Sequence, residues 1–336
     1  MSDTNSITKG NSTSRIAWLD WMKTIAMFLI IAGHNSVPGG KYLYVFSVPC
    51  FFIISGFLSK RELNNSTFWI KLWWNLTLPL ILYTCFIMLY HFIGAYFGGR
   101  FEWKFLYESP FLAMCGFQGL GHPSGGLLRM WFVYTLIICK IILQYTPKSH
   151  EKILLLVLNL FFLIGCIFLI QNDYYEANAI VNVLLAMPFF TIGYFFKTFK
   201  EKLNHMSLYS LLVLGTVSLI ITGLCGYFND PVMLYRCSYG SNLLLCILGG
   251  VFGTVIVFVL SFLSKSYLSY FVRVVGGGTL VILAFHYEIL KVVNRFLNIN
   301  GLWRYLEALI ILLAFFPIIM FIKNNLPVLY GKYRAK

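Results

Sequence analysis

Two ionisable residues stand in the apolar run "WMKTIAMFLIIAGHNSV": Lys23 near its start and His34 near its end. Eleven helical positions amount to about 1,100° of rotation, so the two side chains lie within about 20° on the helix wheel and about 16 Å apart along the axis. Holding such groups in hydrocarbon costs on the order of a few kcal/mol, which makes them functional candidates by default. An ammonium can hold an anion, and an imidazole can exchange a proton near neutral pH. Asp20 lies three residues before Lys23, within ion-pair reach on the same helix. Taken singly, each residue has a plainer account. Lys23 is equally well a snorkelling anchor at the membrane interface, and His34 an interfacial or internally satisfied histidine.

The elements that must carry these residues follow from composition. Of 336 residues, 59% are hydrophobic and only 11% charged, against about 25% charged in soluble domains. Apolar stretches near the roughly 20 residues that a bilayer requires recur along the chain. The expected fold is an all-α polytopic membrane protein of about ten spans, at 16–36, 43–59, 73–97, 127–146, 153–171, 179–197, 208–228, 242–264, 275–294 and 305–323. With the N-terminus inside, sixteen Lys and Arg fall in inner segments and eight in outer ones, so both termini are expected to be cytoplasmic. The expected organisation is a polar N-terminus (1–14), one membrane-embedded domain (15–323) and a basic tail (324–336).

The net charge of +14 sits in short clusters between apolar runs, the pattern of membrane topology rather than of a nucleic-acid partner. The eight cysteines show no metal-ligand spacing and read as small hydrophobes, so no metal is expected. Cys115 and Cys237 fall in outer loops, where they could pair. The connection 98–126 is the longest. It is expected outside, with its apolar part able to dip into the membrane edge where it lines a cavity.

Other segments carry further candidates. In "FSVPCFFIISGFLSKRE", Pro49 should bend a helix, while Ser55 and Gly56 permit close packing. The segment "GGGTLVILAFHYEIL" sets His286 at mid-membrane and three glycines near the inner surface, just after Arg273. A glycine-rich helix start suits phosphate, although a plain helix junction accounts for the glycines better when they are taken alone.

Together "RIAWLDWMKTIAMFLIIAGH", "VPCFFIISGFL", "WFVYTLI", "PFFTIGYFFK" and "GGGTLVILAFH" resemble, in order and spacing, acyltransferase family 3 of integral membrane proteins, and within it the fucose acetylase-like branch. The opening matches that family's basic-x10-His pattern, with Lys23 where many relatives have arginine. Lysine keeps the charge and loses the planar fork that grips phosphate at two points.

The resemblance implies transfer of an acyl group, usually acetyl, from acyl-CoA in the cytosol to a hydroxyl of an envelope sugar or glycan, free or lipid-linked. It points to a bacterial inner membrane. Lys23, helped by Arg15, Lys60, Arg61 and Arg273, would receive the anionic CoA of acetyl-CoA. His34 would act as general base, with His286, Asp20 and Ser55 in support; an acyl-histidine intermediate is the rival scheme. Trp103, Tyr107, Trp131 and Tyr134 suit sugar rings, and an interfacial aromatic belt explains them equally. The alternative from another class is a proton-coupled transporter using His34, His286 and Glu288 as a relay. Internal repeats typical of many transporters are not visible.

Overall fold

The computed structural model describes residues 16–118, 130–174, 176–297 and 299–331. These form helices α1 (Ala17–His34), α2 (Gly40–Tyr44), α3 (Ser47–Leu58), α4 (Asn65–Leu72), α5 (Leu78–Phe97), α6 (Phe105–Met114), α7 (Trp131–Tyr145) and α8 (Glu151–Gln171). They continue as α9 (Val183–Phe196), α10 (Lys200–Asn204), α11 (Leu208–Phe228), α12 (Leu243–Ser264), α13 (Ser269–Gly277), α14 (Thr279–Phe296) and α15 (Trp303–Asn325). A π-helical turn, Trp73–Thr77, joins α4 to α5. Among the described residues there are no strands, only two isolated bridges. The chain is an all-α polytopic membrane protein.

Each expected span contains helix. Among the described residues, six helical stretches are long and apolar enough to cross a membrane, or seven if the bent pair α13–α14 counts as one. The others are short or polar: α7 has 15 residues and α9 has 14, while α1 carries Asp20, Lys23 and His34 in its 18.

Packing explains how α1 tolerates that load. It touches α2, α3, α12, α13, α14 and α15, so protein rather than lipid surrounds it. Helices α8 and α11 lie at the periphery, where Leu156, Phe161, Leu219 and Ile220 are more than half exposed. Such faces are compatible with hydrocarbon, and the polar side chains turn inward. Two of the longer helices are capped by side chains: Ser207 and Asn242 accept from the backbone N–H groups of Ser210 and Leu245.

The closest helix contact joins α3 and α9. A Cβ on Gly56 would collide with the Phe190 carbonyl oxygen, and one on Gly193 with that of Ile53. The glycines in "SGF" and "TIGYFF" therefore let two backbones touch, as expected of small residues between membrane helices. The three-glycine segment serves a junction as well, because α13 and α14 meet there at 81°. A Cβ on Gly276 would come within 2.8 Å of the Asp20 carbonyl oxygen.

The 98–126 connection contains α6, whose Leu106, Tyr107, Phe111 and Met114 are exposed; its last part, 119–126, lies outside the described residues. Before that part, Gly116 and Gln118 are tied to neighbouring connections, with Ala179 N–H donating to Gly116 O at 2.7 Å and Gln118 Nε2 to Tyr235 O at 2.8 Å. Cys237 does not lie against Cys115. Its Sγ is 3.3 Å from that of Cys166, and all eight cysteines are free.

Candidate active site

At the Lys23 end of α1 a cavity of about 960 Å³ opens between α1, α3, α7 and the α13–α14 junction. Six lysines line it: Lys23, Lys60, Lys71, Lys140, Lys197 and Lys200, against the two acids Asp20 and Glu62. Local geometry fixes several. Lys140 Nζ donates to Ser59 Oγ at 2.8 Å, Lys197 Nζ donates to Ser59 O at 2.9 Å, and Lys71 pairs with Glu62 at 2.7 Å. Ser59 thus gathers two ammonium groups from α7 and the end of α9 at the foot of α3. Gly276 and Gly277 at the end of α13 and Thr279 and Leu280 at the start of α14 also line the cavity, so the junction between the two helices faces it. So does Tyr330, in the 326–331 segment that Tyr83 holds by donating to Leu329 O at 2.9 Å.

At the other end of α1, the His34 side chain is exposed and stands among rings. The centroid of His286 is 5.2 Å away, that of Tyr287 5.8 Å and that of Tyr44 6.4 Å. The "NSVPGG" segment turns the chain here, with Ser36 at φ 51° and Gly39 at φ 73° in the left-handed region. It returns Tyr44 to donate to Gly33 O at 2.7 Å. His286 is 4% exposed and its Nδ1 is 2.8 Å from Ile282 O. A carbonyl can only accept, so Nδ1 carries the hydrogen and Nε2 is the lone-pair nitrogen of the neutral ring.

Of the residues expected at the site, Lys23, Asp20, Ser55 and Lys60 share the cavity, while His34 meets His286 outside it. Arg61 is not among the lining residues. Its guanidinium donates to Gln144 O at 2.8 Å and to Thr146 O, and pairs with Glu151 at 3.3 Å, stitching α3's exit to α7 and α8. Arg273 stands over the Tyr270 ring at 5.5 Å and does not line the cavity. Arg15 lies outside the described residues. Glu288 pairs with His91 and Lys291, each at 3.8 Å. Lys140 was missed as a site residue, yet it stands in the apolar "IICKIIL", so the reasoning that singled out Lys23 applies to it equally.

A bundle of apolar helices with a lysine-lined cavity at one end of α1 and a histidine pair at the other defines a membrane protein with polar chemistry at both ends. The sequence profile of the acyltransferase domain matches residues 16–327, and the chain belongs to this family, acyltransferase family 3. It is therefore a membrane acyltransferase. No curated protein and no solved structure matches the chain.

Proposed function

We propose that the protein moves an acetyl group from acetyl-CoA, entering at the lysine-lined end, to a hydroxyl of an envelope sugar or glycan at the His34 end. The reading is carried by the convergence of six lysines on one cavity at the foot of the helix that bears His34. Phosphates are held best by charge-assisted hydrogen bonds, and the first turn of α14, at Thr279 and Leu280, adds backbone N–H groups to the same wall. In this reading the lysine-rich end faces the cytosol of a bacterium and the His34 end faces the opposite side of its inner membrane.

His34 takes the acceptor hydroxyl's proton as the oxygen attacks the thioester carbonyl. The C–S bond then breaks, and the departing CoA thiolate recovers that proton from the imidazolium. His286, with Nδ1–H committed to Ile282 O, supports the His34 ring from α14. The family assignment favours this reading over proton-coupled transport.

The two ends are not openly connected. On the face of α1 between Lys23 and His34, Met27, Ile30 and Ile31 are buried. Leu283, at the cavity wall, precedes His286 by three residues, about 4.5 Å of helix rise. The slender end of the donor therefore has to displace Leu283 and its neighbours to reach the imidazole. Leu283→Trp is expected to block transfer while leaving acetyl-CoA binding at the lysines intact, measured by equilibrium binding beside turnover. Full turnover in that variant would place the donor's route elsewhere.

The direct test of the donor site is Lys23. Hydrogen bonds to charged groups contribute about 1.5–3 kcal/mol, so Lys23→Ala should weaken acetyl-CoA binding about tenfold or more. Lys23→Arg should retain most of the affinity. Unchanged affinity in the alanine variant would return Lys23 to the role of lipid anchor.

A further inference from the structure

We infer that Glu307 is a positioning residue for His34, acting through the carboxamide of Asn35. The inference rests on the proposed role of His34 as base.

Asn35 follows His34 directly, is 1% exposed, and uses every polar group it has. Its N–H closes α1 on Ile31 O and Ala32 O at 3.1 and 3.0 Å, and its carbonyl accepts from Arg304 Nη1 at 2.8 Å. Its Oδ1 accepts from Asn294 Nδ2 at 3.1 Å. Its Nδ2 donates to Glu307 Oε2 at 2.8 Å and to Arg304 O at 3.0 Å. Tyr305, on the same turn of α15, donates to Pro38 O at 2.8 Å. The start of α15 thus holds the whole turn that follows His34.

Glu307 is 4% exposed in a helix otherwise built for lipid and core. Burying a carboxyl is costly unless it is hydrogen-bonded, and packing alone would be served by an apolar residue. Its chemistry makes a specific difference here. A carboxylate oxygen accepts, so Glu307 together with Arg304 O holds the NH₂ end of the Asn35 carboxamide toward α15. The oxygen end then faces Asn294 on α14. That helix also presents Tyr287 to His34, and Asn294 lies seven residues further on, about 700° of rotation and so on the same face. Glu307 therefore locks the end of α1 in register with the helix that supplies His286 and Tyr287. Without it the buried NH₂ group keeps only the neutral Arg304 O, its longer hydrogen bond, and the hold on the carboxamide's direction toward Asn294 is loosened.

A misplacement of about 1 Å can cost 10²-fold in rate. The test is the rate at saturating acetyl-CoA, and the KM for acetyl-CoA, of purified protein given an envelope-glycan extract as acceptor. Glu307→Leu should lower the saturating rate about 100-fold and leave the KM for acetyl-CoA unchanged, because the lysines lie at the far end of α1. Glu307→Gln, which keeps an acceptor oxygen for Asn35, should recover most of the rate. Near wild-type rate in Glu307→Leu, or equal loss of donor affinity and rate, would overturn the positioning role. If Glu307→Leu does not fold, Asn294→Leu removes the hold on the oxygen end of the carboxamide. It should show the same split, and an unchanged rate would be contrary. His34→Ala assayed alongside separates the two ideas. Activity in His34→Ala removes the base and the inference with it, whereas an inactive His34→Ala beside a fully active Glu307→Leu removes only the inference.

Discussion

His34→Ala is expected to lose acetyl transfer by about 10²–10⁴-fold, the usual contribution of a general base, while acetyl-CoA binding stays close to wild type. The separation follows from geometry: the lysine-lined cavity and the histidine pair occupy opposite ends of α1. His286→Ala should be milder, because its ring is buried while that of His34, 5.2 Å away between centroids, is the exposed one. Loss of His286 leaves a space beside His34 and keeps the proposed base itself. Rates measured at saturating donor decide between them. Equal and complete loss in both variants would indicate that the two imidazoles act as one unit.

The second large effect is structural. Gly56→Val should drive α3 away from α9, because even a Cβ at this position collides with the Phe190 carbonyl, which is backbone and has no rotamer to yield. Overpacking of this kind costs about 1–3 kcal/mol where side chains can adjust, and more where they cannot. The variant should be poorly recovered and lose its thermal transition, as read by size-exclusion behaviour and melting in detergent. The same shift would carry away Ser55 and Ser59, which belong to the cavity and its lysine anchor. A protein melting as the wild type does would show that α3 and α9 have more freedom than the contact allows.

Much of the fold is legible in the amino-acid sequence. Apolar runs announced the helices, since lipid leaves the backbone few alternatives. The eleven-residue spacing of Lys23 and His34 predicted one helix face, because helical rotation is regular over that length. What the sequence could not supply is convergence. Nothing local says that Lys140, Lys197 and the end of α3 meet at Ser59, or that Arg61 turns toward Glu151 instead of the cavity. Those outcomes depend on which helices neighbour one another. The role of Glu307 was hidden for the same reason: its partner Asn35 is 272 residues away in the chain. The number of spans is the other weak point of sequence reading. Short helices such as α7 and α9 are apolar enough to be noticed, but they are not long enough to meet the usual span length.

Transfer of label from radiolabelled acetyl-CoA to an envelope-glycan extract, by purified protein, tests the proposed chemistry most directly. Acetyl transfer at His34 predicts alkali-labile label in the glycan, one CoA thiol released per acetyl group moved, and neither in His34→Ala. Intact acetyl-CoA after incubation with wild-type protein, or glycan labelled equally well by His34→Ala, would contradict it.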